Sequence, residues 1–268
     1  MSATLRQQIE KKCAGMDIPL VGFAPADRWE DPAEGPLVPK EFRPRAIFPG
    51  TNTVIVIGFP VSFPVVDTAP SIWYHELYRT INTLLDSCGY RISLFLNAAG
   101  HPSVWIPRDG YGSIEVLIKN PVAFFSHRHA AYYAGLGNFG VNNMLLTPEY
   151  GPRIRFASIF TTAEIAGEPL YEKPLCTRCM KCVSACPAEA IPRTGYPEGR
   201  TDKKACALNS RELNRRHISP CGGCIRVCPV GNDRKFYGMD NMRIYCEDTP
   251  ESLPFKRIRD HVRSYGSE

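Results

Sequence analysis

Seven cysteines fall in two dense runs, and each run closes on Cys-Pro. Cys176, Cys179, Cys182 and Cys186 are spaced C-x2-C-x2-C-x3-C, with Pro187 directly behind. Cys221, Cys224 and Cys228 follow as C-x2-C-x3-C with Pro229, and Cys206 stands between the runs. Two-residue gaps turn successive sulfurs onto one small object. The three-residue gap sends the last sulfur away from it. This is the spacing with which thiolates hold paired [4Fe–4S] cubanes, the last cysteine of each run serving the other cluster. One cluster is accordingly assigned to Cys176, Cys179, Cys182 and Cys228. The second is assigned to Cys186, Cys206, Cys221 and Cys224. Structural zinc sites usually set two short knuckles across a longer spacer. The density of these runs favours iron–sulfur chemistry, and hence electron transfer.

The remaining composition is that of an ordinary globular chain. It has 268 residues, 44% hydrophobic and 22% charged, with a formal net charge of +5. That charge permits an acidic or nucleic-acid partner without demanding one. Eleven cysteines behind a charged start that lacks an apolar leader fit a reducing, cytoplasmic setting. No stretch approaches the ~20 apolar residues of a membrane span, so no membrane partner is expected.

Along the chain, residues 4 to 14 read as an amphipathic helix carrying Leu5, Ile9 and Cys13 on one face. Leu20 to Phe23 and Val54 to Phe59 read as strands. The proline-punctuated stretch from Asp27 to Gly50, with Pro32, Pro36, Pro39, Pro44 and Pro49, reads as an irregular crossing. Ser71 to Cys88 has helical spacing, with Ser71 as N-cap and Gly89 as the stop. Ile92 to Leu96, Ile114 to Ile118 and Ile154 to Thr161 read as strands, and Val122 to Ala134 as helix. The fold class expected is α+β: an α/β domain over about 1–165, then a compact cluster domain over 166–268 in which metal replaces much of the core. Cys13, Cys88 and Cys246 are spare, the first two as small hydrophobes on helix faces.

Gly135-Leu136-Gly137-Asn138-Phe139-Gly140 matches the dinucleotide fingerprint G-x-G-x-x-G. That fingerprint works only between a strand and a helix, where the helix N-terminus receives the pyrophosphate. Here a helix-like stretch precedes it and a strand-like Asn143 to Thr147 follows. The glycines are read instead as a helix cap and a place where backbone passes close to something bulky.

The run Ala134-Gly135-Leu136-Gly137-Asn138-Phe139-Gly140-Val141-Asn142-Asn143 resembles the glycine-rich region of epoxyqueuosine reductases. The cysteine runs, with a lone cysteine between them, follow in the same order as in that family. Trp73-Tyr74-His75 is similar to its Asp-Tyr-His segment, and the resemblance covers roughly residues 5 to 235. It implies a nitroreductase-like upper domain, a bound cobalamin beside one cluster, and a plan shared with reductive dehalogenases. The clusters would bring cobalt to a low-valent state that reduces a bound substrate. Gly135, Gly137, Gly140, Asn142 and Asn143 would then lie against the corrinoid. The family's Trp and Lys in the glycine segment are Asn138 and Val141 here. Its acidic proton donor falls within Pro121 to His129, which holds no carboxylate. The ionisable groups of that stretch are His127 and His129, which with Tyr74 form the candidate catalytic set.

The expected function is a cytoplasmic iron–sulfur oxidoreductase passing electrons to a cobamide that reduces a small molecule or a modified nucleoside. Reduced ferredoxin or flavodoxin is the expected donor. Two alternatives differ in class. One is an electron-transfer partner with no corrinoid, or with a flavin. The other is a reductase acting on tRNA, which is less favoured because the family's C-terminal tRNA-contacting helices find no counterpart in the 40 residues after Cys228.

Overall fold

The computed structural model describes residues 3–34, 38–245, 250 and 252–265; Cys246 and Pro36 lie outside them. Helix α1 (Leu5–Ala14) leads into strand β1 (Leu20–Pro25), and β2 (Thr53–Pro60) follows the proline-rich crossing. Then come α2 (Ile72–Ala98), β3 (Ser103–Ile106), α3 (Ile114–Lys119), α4 (His127–Tyr133), the short strands β4 (Asn138–Phe139) and β5 (Leu145–Leu146), and β6 (Ile154–Thr161). Past the sheet lie α5 (Lys203–Arg215) and α6 (Leu253–Ser264). The main sheet runs β1-β2-β6-β3, and its neighbours are antiparallel throughout. The fold class is thus α+β, as expected.

The sheet separates two cores because successive side chains point to opposite faces. Ile55, Ile57, Ala157 and Ile159 pack toward α1 and α2. Val54, Val56, Phe156 and Phe160 pack toward Trp29 and the Ala130–Tyr133 face of α4. Helix α2 is longer than its sequence predicts. Gly89 does not stop it, and Ile92 to Leu96 is its last stretch rather than a strand. The buried series Ile81, Leu85, Cys88, Ile92, Leu96 keeps the i, i+3/i+4 spacing to the end. Gly89 serves packing, since a Cβ there would lie 2.6 Å from Cδ1 of Trp105. Ile114 to Ile118 is likewise helix, started by Ser113, whose hydroxyl accepts from the Val116 amide. The helix expected over Val122 to Ala134 is confined to α4, with Ser126 as its cap. Among the described residues no helix is long and apolar enough to cross a membrane.

The cysteine-bearing layer docks on the sheet through the turn that precedes β6. Gly151 has a φ of +53°, and a Cβ on it would meet the Val230 carbonyl at 1.9 Å. The amides of Asn232 and Asp233 donate to the carbonyls of Pro148 (3.1 Å) and Glu149 (2.9 Å). Arg153, fully buried, fills the joint. It pairs with Asp233 through Nε (2.6 Å) and Nη2 (2.7 Å), and donates to the carbonyls of Ile225 (3.2 Å), Cys228 (3.1 Å) and Val230 (2.6 Å). Every donor of a buried guanidinium needs such a partner. On the far side, α3 packs on α5, and Lys203 Nζ donates to the Pro121 carbonyl (3.1 Å).

Arg153→Met should strand the Asp233 carboxylate and three carbonyls, at a cost of about 3–5 kcal/mol. Denaturant unfolding of the anaerobic holoprotein would read this. A loss no larger than that of an exposed Arg215→Met control would show that the joint does not depend on the ion pair.

Candidate functional site

The two cysteine runs fold as repeats. Cys179-Met180-Lys181-Cys182 and Cys221-Gly222-Gly223-Cys224 each place a left-handed residue, Met180 (φ 58°) or Gly222 (φ 68°), straight after a cysteine. Each then starts a single helical turn, Lys181–Ser184 or Gly223–Arg226, that carries the next cysteine and leads the last one away. The result is an exchange between runs. Cys176, Cys179, Cys182 and Cys228 line one small cavity, walled by Gly140, Val141, Asn142 and Leu146. Cys206 has Cys221 and Cys186 as its sulfur neighbours, and Cys224 has Cys221, Cys206, Cys182 and Cys186.

Burial comes first among the influences that push these thiols up: Cys228 to about 11, and Cys182, Cys206 and Cys224 likewise upward, with neighbouring sulfurs adding to the effect. Four thiolates held this closely away from water are stable only around positive charge. Among the described residues no three Cys, His, Asp or Glu side chains converge tightly enough for a single ion. Sulfurs around a cavity suit a cubane better than one zinc.

The glycine segment is placed differently from the expectation. Gly135 (φ +72°) caps α4, and its missing side chain leaves room for the Pro169 carbonyl, 2.3 Å from where a Cβ would be. A Cβ on Gly137 would lie 1.8 Å from the Leu146 carbonyl, and one on Gly140 2.9 Å from Asn142 Oδ1. The space these glycines leave is therefore filled by the chain's own β4–β5 hairpin and the residue 168–169 segment. Asn142 accepts from the Met144 amide (3.2 Å), and buried Asn143 accepts from the Thr201 amide (2.7 Å) and donates to the Gly199 carbonyl (3.2 Å). Of the five, Gly140 and Asn142 line the cavity of the first cysteine set, and Asn143 ties the hairpin to the 199–201 segment.

The candidate catalytic residues are also dispersed. His127 donates from Nε2 to the Pro107 carbonyl (2.9 Å) and accepts at Nδ1 from Ser158 Oγ (2.9 Å). His129 is held between Ser126 Oγ (2.7 Å) and Tyr196 Oη (2.6 Å). Desolvation dominates both, lowering His127 to about 4 and His129 to about 3. Burial therefore favours the neutral form of both near pH 7, each ring held by two hydrogen-bond partners. Tyr74 is buried against Gly222 beside Cys221 and Cys224, and its phenol is pushed upward, chiefly by burial.

Around Tyr74 the structure also brings Tyr78, Arg155 and Arg128, which the sequence did not single out. The Tyr74 and Tyr78 rings meet edge to face at 6.3 Å between centroids. The Arg155 guanidinium lies 4.0 Å from the Tyr78 ring centroid, with Asp109 Oδ1 at 3.4 Å from its Nη2. Arg128 donates to the Asn143 carbonyl (2.6 Å), lies 3.7 Å from Met144 Sδ, and feels Cys224, Arg155 and Cys206. Arg155 keeps 21% of its side-chain surface accessible, and desolvation is the largest influence on its charge. Its Nε is buried without a hydrogen-bond partner. A separate cleft of ≈ 650 Å³ borders the first set at Cys176, between Arg28, Tyr132, Phe139 and Tyr171.

A model of the 4Fe-4S binding domain matches residues 172–191. The chain is 25% identical over 193 residues to a tetrachloroethene reductive dehalogenase of Desulfitobacterium hafniense, covering 66% of this chain and 32% of that one. It is 23% identical over 307 residues to an epoxyqueuosine reductase of Bacillus cereus, covering 98% and 74%. Among solved structures, a catabolic reductive dehalogenase superposes with a TM-score of 0.61 at 17% identity, over 96% of this chain and 36% of the other. The chain thus spans about a third of the length of the dehalogenases it matches.

Two outcomes are expected. Cys186→Ser should disturb the electron-paramagnetic-resonance signal of the cluster on Cys206, Cys221 and Cys224, and Cys228→Ser the other; the reverse pattern would refute the exchange. The linkage of the histidines also has a sign. Their folded values lie below the ordinary ~6.5, so the unfolded chain protonates first. Their contribution is complete above about pH 6.5 and is lost as pH falls toward about 4. Unfolding midpoints at about pH 7.5 and about pH 5.5 should fall less for a His127→Asn/His129→Gln variant than for the parent. An equal fall would contradict the burial argument.

Proposed function

We propose that this short relative of the epoxyqueuosine reductases and reductive dehalogenases is an iron–sulfur reductase with two [4Fe–4S] clusters. In this proposal an upper domain of about 165 residues presents an organic substrate to the second cluster in the recess of Tyr74, Tyr78, Arg128 and Arg155. A cobamide bound in the same recess would supply low-valent cobalt, a two-electron reductant that clusters alone do not provide. The observation that supports the proposal is the placement of Tyr74 against Gly222, between Cys221 and Cys224, with the Tyr78 ring beside it and the Arg155 guanidinium over that ring.

The chain's own residues have separable tasks. Tyr74 and Tyr78, whose rings meet edge to face, would give the substrate an apolar wall. Two-electron reduction of an organic substrate takes up protons, so the site needs a donor that is protonated at working pH. Tyr78 and Tyr111 qualify, because burial holds both phenols in the protonated form, Tyr111 at about 12. The Arg155 charge over the Tyr78 ring opposes that upward push, and so eases release of the Tyr78 Oη proton. Electrons would enter at the first set, where Cys179 is exposed between Arg178 and Lys181. Those charges favour an acidic donor such as reduced ferredoxin or flavodoxin.

A modified nucleoside in tRNA is the second reading. It rests on the similarity to an epoxyqueuosine reductase along nearly the whole chain. Anaerobic reconstitution should yield about eight irons and about eight sulfides per chain, two cubanes of four. Added cobalamin should give a Co(II) signal without a protein nitrogen ligand, and Tyr78→Phe should slow turnover by about 10²–10⁴ while leaving that signal intact. Full folding with zinc alone would overturn the proposal. Full cluster loading with no cobalamin uptake would leave an electron carrier.

A further inference from the structure

The cleft of ≈ 650 Å³ at Cys176 shares no lining residue with the surroundings of Tyr74. Distant stretches of chain build it. Tyr132 of α4 and Phe139 of β4 supply one wall, their ring centroids 5.9 Å apart and their planes tilted by 33°. Pro169, Leu170 and Tyr171, beyond β6, supply another. Asn138 fixes the spacing between them: its Nδ2 donates to the Lys173 carbonyl (2.8 Å), and its Oδ1 accepts from the Leu175 amide (3.1 Å). The polar groups come from the crossing before β2. Arg28 is anchored, donating from Nη1 to the Tyr133 carbonyl, with its Nε 3.5 Å from Glu34 Oε2. Arg28 Nη2 and Glu34 Oε1 have no hydrogen-bond partner among the described residues and are not sealed from solvent. Glu34 keeps 35% and Arg28 17% of its side-chain surface accessible, so both can meet a ligand. Burial and then Glu34 raise the Tyr132 phenol, which puts that carboxylate near the ring. Of the described lining residues, the charged ones are Glu34, Glu172 and Arg28. Carboxylates outnumber the guanidinium, so the cleft turns away organic anions. It favours a neutral, flat ring that sets an N–H donor beside a carbonyl.

We propose that this cleft binds the isoalloxazine ring of a flavin, its face on Tyr132 and Phe139, its N3–H donated to Glu34 and a flanking carbonyl accepting from Arg28. A tricyclic ring covers two adjacent aromatic side chains where a single ring covers one. An N–H set between two carbonyls matches a carboxylate beside a guanidinium, and each bond is charge-assisted on the protein side. The cleft ends at Cys176, a ligand assigned to the first cluster, and the reductase reading admits electrons at that set. The role of the flavin rests on that reading; its binding does not.

The test is anaerobic calorimetry on the cluster-loaded holoprotein with lumiflavin and with 3-methyllumiflavin, which lacks only the N3–H. Lumiflavin should bind about 10–100-fold more tightly than its methylated form, the range of a hydrogen bond to a charged group. Glu34→Ala should erase that ratio while iron content stays unchanged, and the comparison on the parent protein decides the matter should the variant not fold. Saturating cobalamin should leave the lumiflavin affinity where it was. Equal affinities for the two flavins, no saturable lumiflavin binding, tighter binding of guanosine, or displacement of lumiflavin by cobalamin would each overturn the site. If lumiflavin is selected and cobalamin is never taken up, the cobamide reading falls and the flavin site stands. If cobalamin is taken up and lumiflavin is not selected, the site falls and that reading stands.

Discussion

The buried pair of Arg153 and Asp233 is the interaction on which the rest of the molecule depends. One guanidinium, rooted at the start of β6, holds a carboxylate and three carbonyls of the second cysteine run. Arg234 completes the clamp, donating from Nε to the Cys228 carbonyl (2.7 Å) and from Nη1 to the Met239 carbonyl (2.9 Å). Both guanidinium groups stack on Phe63, at 4.9 and 4.2 Å from the ring centroid. Cys228 is the sulfur that crosses to the first set. Its position is therefore dictated by the sheet, not by its own run.

That clamp explains why small residues gather where they do. Gly151 and Gly231 let two backbones meet, and Gly231 has Arg153 Nη2 2.6 Å from where its Cβ would sit. Gly137 lets the β4–β5 hairpin close on itself, and that hairpin supplies Leu146 and Gly140 to the wall of the first cysteine cavity. A layer with few apolar residues between its cysteines has little core of its own, so it borrows rigidity from the sheet through close backbone contact and buried charge.

What the sequence discloses follows from how local the cause is. Cysteine spacing is set by the geometry of a cubane within a dozen residues, so an exchange between runs can be expected from sequence, and Cys228 lines one cavity with Cys176, Cys179 and Cys182. Strand β6 and helix α1 are equally local, the one a nearly continuous buried run and the other opened by a Thr4 capping box. Helix α2 beyond Gly89 is not, because the reason for that glycine is Trp105 on another element. The glycine segment shows the same limit. Its backbone demands are plain in sequence, but what fills the vacated space is Leu146, nine residues on, and Pro169, beyond β6. Arg155 left a usable sign, a lone charge inside an apolar strand, and such a charge asks for a partner that only the tertiary structure reveals.

The distribution of guanidinium groups then orders the site. Arg153 and Arg234 stand by Cys228 in the first set, and Arg128 by Cys206 and Cys224 in the second. Positive charge beside a cluster favours its reduced form, since net charge is one of the levers on cluster potential. On the proposed two-cluster reading both sets would be biased toward holding electrons. Arg155 differs in its surroundings, because β6 carries it over the Tyr78 ring, with Asp109 as its ion-pair partner.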